Sequence, residues 1–152
     1  MRIALGFDHA GISLRERLVQ ALTEAGHEPL DLGNADDYPD VAMSVGRAVL
    51  DGRAERGIVV CGSGAGVAVA ASKLPGIRAT VAHDTYTAAQ SVSHDDVNVL
   101  CLGARVIGPE IAAGLATAFA GASFSGEERH VRRLAKVAAM ERDGLDAHLE
   151  VS

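Results

Sequence analysis

Residues 58–66 read IVVCGSGAG, and the fold turns on how this stretch is read. Ile58, Val59 and Val60 are β-branched residues suited to a buried strand, and they run straight into Cys61. Three glycines alternating with small residues follow, then an Ala- and Val-rich segment. The pattern predicts a strand over Gly57–Cys61, a glycine loop, and a helix over Gly64–Lys73 buried on more than one side. One strand–loop–helix unit implies others like it.

The same alternation extends in both directions. Toward the N-terminus, Arg2–Phe7 has strand length, and Gly11–Ala25 carries Leu14, Leu18, Ala21 and Leu22 at helical spacing. Gly26 stops that helix, and Glu28–Leu32 is a second strand placed at an edge by Pro29. Asp36–Asp40 is a turn rich in helix-starting residues, after which Val41, Ala42, Val45, Ala48 and Val49 share a helical face. Toward the C-terminus, Pro75-Gly76 ends the third helix and Ile77–Ala82 is the fourth strand. Asp84 is placed to cap a helix over Thr85–Val92. Val97–Leu102 is the fifth strand, and Pro109 opens a helix. Ser125-Gly-Glu-Glu128 fits a capping box before a last helix from about 126 to 140. Residues 1–142 read as one domain and 143–152 as a tail.

Five strands alternating with helices predict an α/β fold, Rossmann-like, with a five-stranded parallel sheet covered on both faces. In such sheets ligands bind beyond the carboxyl ends of the strands. Asp8-His9, Cys61-Gly62-Ser63, His83-Asp84 and Gly103-Ala-Arg105 each immediately follow a strand.

The composition narrows the function. The 152 residues are 48% hydrophobic and 22% charged, enough apolar content for a well-filled core. A net charge of −6 and an aromatic content of 3% without tryptophan argue against nucleic-acid binding, which needs a basic surface or stacking platforms. No apolar run approaches the ~20 residues that cross a bilayer. The first residues reach Asp8 and His9 too early for a signal peptide, so a cytoplasmic location is expected. An acidic substrate would need a local cluster of positive charge. Cys61 and Cys101 are expected to stay reduced, and neither has metal-ligand spacing.

Several residues invite chemistry. Taken alone, Cys61 reads first as a small buried hydrophobe. Beside Gly62-Ser63-Gly64-Ala65-Gly66 it gains a second reading. Backbone N–H groups and a helix start favour the thiolate and could steady a negative oxygen while sulfur takes a proton from the neighbouring carbon. The loop is neither a dinucleotide fingerprint nor a P-loop, and a plain tight turn remains open. Asp8 and His9 read as a helix cap or as groups meeting a substrate hydroxyl or phosphate. His94, with Asp95, reads as a solvated turn or as a general acid–base, since imidazole titrates near neutrality. Arg129 and Arg133 share a helical face, either as a solvated surface or, with Arg105, as a phosphate clamp.

GFDHAG (6–11), DYPD (37–40), CGSGAG (61–66), SKLPGIRA (72–79), NVLCLGARVIG (98–108) and RHVRR (129–133), in that order, resemble the family of type B ribose-5-phosphate isomerases and galactose-6-phosphate isomerase subunits. The resemblance covers roughly residues 1–140. It implies a three-layer α/β/α fold and an aldose–ketose isomerase of sugar phosphates that needs no metal or cofactor. It also implies a homodimer or homotetramer with sites at the subunit interface. Carried over by position, Cys61 is the base, Ser63 assists, and His94 opens the sugar ring. The Gly62–Gly66 amides hold the enediolate; Asp8, His9, Arg105, Arg129 and Arg133 contact sugar or phosphate. Some relatives use a glutamate where this chain has Val67, which leaves the proton transfer to cysteine. Asp95 stands where many relatives have asparagine, which leaves pentose, tetrose and hexose phosphates open as substrates and a non-catalytic phosphosugar binder as the rival reading.

Overall fold

The computed structural model describes residues 1–149. Strands β1 (Arg2–Phe7), β2 (Glu28–Asn34), β3 (Arg56–Cys61), β4 (Ala79–Val81) and β5 (Val99–Gly103) form one parallel sheet in the order β2-β1-β3-β5-β4. Pro29 indeed lies on an edge strand. The helices are α1 (Arg15–Glu24), entered through a short 3₁₀ turn (Gly11–Leu14), then α2 (Tyr38–Leu50), α3 (Ala65–Ala71), α4 (Thr85–Asp95), α5 (Pro109–Gly121) and α6 (Glu128–Asp143).

Strand alternation sorts the core into two halves. Ile3, Leu5, Phe7, Ile58, Val60, Leu100 and Leu102 face α1, α4 and α5. Ala4, Val59, Cys61, Val99 and Cys101 face α2 and α3. The result is three layers, α/β/α. The second half is built from smaller residues because α2 lies close to the sheet: a Cβ on Gly6 would stand 2.7 Å from Val45 and 2.8 Å from Val41. Arg56 reaches across to the end of α5, where its guanidinium donates to the carbonyls of Phe119 (2.6 Å) and Ala122 (2.8 Å). These are carbonyls that a helix end leaves without partners.

Three boundaries differ from expectation. α4 continues past Val92 to Asp95, so His94 lies in a helical last turn rather than in a loop; the helix closes at Asp96, which adopts φ 47°. Ser125 does not cap α6. Its Oγ is engaged with His130 Nδ1 at 2.6 Å and accepts from the Glu127 N–H at 3.2 Å, and Glu127 is the residue before the helix. α6 itself runs to Asp143 and a 3₁₀ turn follows at Gly144–Asp146, so part of the expected tail is ordered structure. Residues 150–152 of that tail lie outside the described residues.

Candidate active site

At the carboxyl ends of β1, β3 and β5, three glycines set the geometry. A Cβ on Gly11 would run into the Val60 carbonyl, and one on Gly103 would lie 2.6 Å from the Ser63 backbone. Gly64, at φ 83°, turns the chain into α3 with its Cα against Leu102 and Gly103. The loop after β3 is therefore pressed onto the end of β5. The Ala104 N–H donates to the Cys61 carbonyl at 2.8 Å and the Arg105 N–H to the Gly62 carbonyl at 3.0 Å.

Within that loop the Gly64 N–H donates to Cys61 Sγ at 3.1 Å. The N–H groups of Gly62, Ser63 and Gly66 make no hydrogen bond among the described residues. The Ala65 N–H turns back to Ser63 Oγ at 3.3 Å, so that amide is spent inside the loop. Cys61 is buried at 5% exposed and packs in the core half that faces α2 and α3, whereas Cys101 is fully buried and its thiol is pushed up by burial and by neighbouring Cys61.

Asp8 is buried, and its Oδ1 accepts from the N–H groups of Ala10 (2.9 Å) and Gly11 (2.8 Å). It thus shapes the loop after β1. His9 is exposed, with Nδ1 on the Asp36 carbonyl at 3.1 Å, which leaves Nε2 outward. The exposed Arg105 side chain lies alongside Gly62. Asp8, His9, Cys61, Ser63 and Arg105 therefore share one end of the sheet.

His94 does not. α4 leaves β4 at Asp84, whose carboxylate accepts the Thr87 N–H at 2.7 Å and is held below its usual range by that bond. The helix then runs back along the sheet. At 1.5 Å per residue, His94 sits about 15 Å further down. The next residues confirm the level: Asp96 pairs with Arg78 at 2.7 Å, just before β4, and Asn98 just before β5 accepts the Arg78 N–H at 2.8 Å. His94 Nδ1 meets Gln90 Nε2 at 3.0 Å, and its ring stacks on His130 with centroids 4.1 Å apart. His130 is 1% exposed, and burial, then the neighbouring His94 and Arg129, holds its imidazole below the ordinary value. Asp95 lines a groove with Arg133 and makes no ion pair among the described residues. Arg129 pairs with Glu127 at 2.9 Å. His94, Asp95, Arg129 and Arg133 thus form a second cluster at the opposite end of the sheet.

The structure gives contacts to several residues that the sequence reading left without a role, His83 among them, which it had placed only at a strand end. His83 Nε2 accepts the Gly103 N–H at 3.1 Å and ties β4 to the end of β5. The Tyr38 ring packs at Gly66, 3.2 Å from where a Cβ would stand. Gln90 and the Ser125–His130 pair support His94. Gln90 had one available signal, its i, i+4 spacing to His94, which becomes visible once α4 is extended past Val92. Among the described residues no three His, Cys, Asp or Glu side chains converge as metal ligands, and no helix is long and apolar enough to cross a membrane.

Comparison with known proteins places this geometry. Residues 3–137 match the Ribose/Galactose Isomerase family. The chain is 41% identical over 145 residues to the ribose-5-phosphate isomerase B of Escherichia coli, covering 93% of this chain and 97% of that one. It is 36% identical over 148 residues to D-erythrulose-4-phosphate isomerase 2 of Mycolicibacterium smegmatis, with 93% and 97% covered. The solved type B ribose 5-phosphate isomerase of Trypanosoma brucei superposes with a TM-score of 0.87 at 44% identity, over 91% of this chain and 97% of that one. A parallel sheet with a thiol and free amides at its carboxyl end, matched over nine-tenths of its length, is accounted for: the chain belongs to the Ribose/Galactose Isomerase family and is a sugar-phosphate isomerase.

Proposed function

We propose that this isomerase interconverts ribose 5-phosphate and ribulose 5-phosphate through a cis-enediolate, with Cys61 as the base. The observation that carries the reading is the Gly64 N–H directed at Cys61 Sγ inside a loop whose Gly62, Ser63 and Gly66 amides make no hydrogen bond among the described residues. The thiolate removes the proton from C2 of the open-chain aldose, and the electron pair moves to make the enediolate. The Gly62, Ser63 and Gly66 amides receive the charge that develops on the C1 oxygen, the C2 hydroxyl passes its proton to that oxygen with the Ser63 hydroxyl assisting, and the same thiol returns the carbon proton to C1. Water carries the proton of the C1 hydroxyl to the ring oxygen as the C1–O4 bond breaks, and His94, through its Nε2–H, hydrogen-bonds that oxygen and steadies the charge it takes on. Arg105, Arg129 and Arg133 hold the phosphate remote from the reacting carbons, so binding energy fixes orientation.

Cys61 and His94 act here on adjacent atoms of one sugar, yet about 15 Å of helix separates their levels in one chain. The reading therefore uses a homodimer, in which one protomer supplies the Cys61 loop and the other supplies His94, Asp95 and the α6 arginines. The apolar residues that α6 holds in solvent, Val131, Val137 and Met140, support such a contact.

The experiment is solvent-deuterium exchange into ribulose 5-phosphate alongside aldose–ketose conversion, with and without chelator. Cys61→Ser is expected to fold and to lose activity by about 10²–10⁴-fold. Full activity in that variant removes the proposed base, and no exchange in the wild type leaves only a binder. A tetrose 4-phosphate is the second reading. It is favoured by the M. smegmatis relative's name, and a panel of four- to six-carbon sugar phosphates separates the two.

A further inference from the structure

We infer that Gln90 is a positioning residue for the ring-opening histidine: its side-chain amide ties up Nδ1 of His94 and leaves Nε2 as the one nitrogen free to work on the sugar. This deepens the proposed reaction and rests on His94 being the ring opener.

The geometry is local and well defined. Gln90 and His94 are four residues apart on α4, on one face, and the amide Nε2 stands 3.0 Å from the ring Nδ1. With the NH₂ group toward it, Nδ1 accepts, so the neutral ring carries its hydrogen on Nε2. His94 Nε2 makes no hydrogen bond among the described residues. His94 borders a shallow hollow shared with Tyr86, Ala89 and Ser123. The opposite face of the ring is covered by His130, stacked at 4.1 Å and 26° and itself fixed by Ser125 at 2.6 Å. Stacking sets the plane of the ring but not its rotation within that plane, nor which nitrogen bears the hydrogen. Gln90 sets both.

The reaction supplies its own control. Ribose 5-phosphate closes to a furanose through its 4-hydroxyl and must be opened before C2 is reached. Ribulose 5-phosphate cannot close a five-membered ring, because its 5-hydroxyl carries the phosphate. Proton exchange at C1 of the ketose therefore runs through the enediolate with no ring step, and a residue acting on ring opening alone leaves it untouched.

The test compares wild type, Gln90→Met and His94→Ala. Two rates are measured on each: conversion of ribose 5-phosphate, and deuterium exchange into ribulose 5-phosphate. Gln90→Met keeps the length of the side chain and removes its polar atoms. It is expected to slow conversion about tenfold, the worth of one orienting hydrogen bond, with exchange unchanged. His94→Ala is expected to slow conversion further, again sparing exchange. If His94→Ala spares exchange but Gln90→Met matches wild type in both, the positioning role is wrong and the ring-opening reading stands. If Gln90→Met lowers both rates alike, Gln90 serves only the fold and the inference fails. If His94→Ala lowers both alike, or neither, the ring-opening reading itself falls. A measurement on the wild type stands apart from any variant's folding. Long-range ¹H–¹⁵N correlation at about pH 8.5, where imidazole side chains are ordinarily neutral, is expected to find the His94 hydrogen on Nε2. A hydrogen on Nδ1 overturns the assignment.

Discussion

The proposed reaction brings Cys61 of one chain and His94 of another to one sugar, and mixed dimers test this directly. Cys61→Ser and His94→Ala are carried on differently tagged copies, coexpressed, and purified over both tags so that every dimer holds one of each. The two defects lie at opposite ends of the sheet in their own chains, about 15 Å apart along α4. In a two-fold dimer each site then takes its loop from one copy and its α4 end from the other. One of the two sites collects both defects, and the other collects neither. The mixed dimer is expected to convert ribose 5-phosphate at about half the wild-type rate, with the wild-type KM, because the intact site is chemically whole. The parents set the background: the Cys61→Ser homodimer down about 10²–10⁴-fold as a lost general base, the His94→Ala homodimer lower than wild type on the cyclic substrate. If each site were built within one chain, the mixed dimer would hold one site of each defect and would give only the mean of its parents. That result refutes the shared-site reading, whatever the single variants do.

Two further outcomes follow from packing and titration. Gly103→Ala places a methyl group 2.6 Å from the Ser63 backbone, with no flexible side chain to yield. It is expected to cost about 1–3 kcal/mol in urea unfolding and to displace the Cys61 loop, lowering turnover, while Gly108→Ala, where a Cβ meets nothing within 4 Å, is the control; equal midpoints for the two sink the argument. His130 is buried with its imidazole below the ordinary value, so below about pH 6.5 the unfolded chain takes up a proton that the folded chain refuses. Stability contributed there is complete above that pH and is lost as pH falls toward the folded value. Urea midpoints from pH 7.5 down to 5.5 are expected to drop more steeply in wild type than in His130→Leu, and parallel slopes count against the buried neutral ring.

Much of this was legible in the chain because the sheet is simple. Strict alternation in Arg2–Phe7 and in 57–61 sends large residues to one face and small ones to the other, and both faces are buried, so the pattern reads as parallel strands. Asp84 capped its helix as its chemistry demands, through Thr87. The failures came where a tertiary partner decides. Ser93-His94-Asp95-Asp96 has the composition of a turn, yet His94 stays helical against His130, which is far away in sequence. Ser125 has the signature of a cap but spends its hydroxyl on that same His130. The placement of β5 between β3 and β4 is a matter of pairing, to which hydrophobic period is blind. Cys61, Gly62 and Ser63 were readable as a site because one loop holds them. The separation of Cys61 from His94 was not, since it depends on helix length and on the antiparallel return of α4.

The packing of α6 bears on the proposed dimer. Ordering its 16 residues costs on the order of 1 kcal/mol each in backbone entropy, and an isolated helix of that length is marginal in water. Against this cost, α6 buries a single side chain, His130. It is tied at two points. Near its start are the Ser125–His130–His94 contacts, and near its end the Glu141 carboxylate accepts the Gly76 N–H at 3.1 Å. Between them the helix bridges a groove of about 770 Å³ lined by Val131, Leu134, Val137 and Ala138. The apolar stripe that would normally offset the entropy is thus present, but it fronts an open groove over Ile77, Ala79 and Val97 instead of being packed shut. A surface that covers it stabilises α6, and through His130 it stabilises the ring of His94 as well. In the proposed dimer, the contact that completes the site and the contact that orders its ring-opening residue are one and the same.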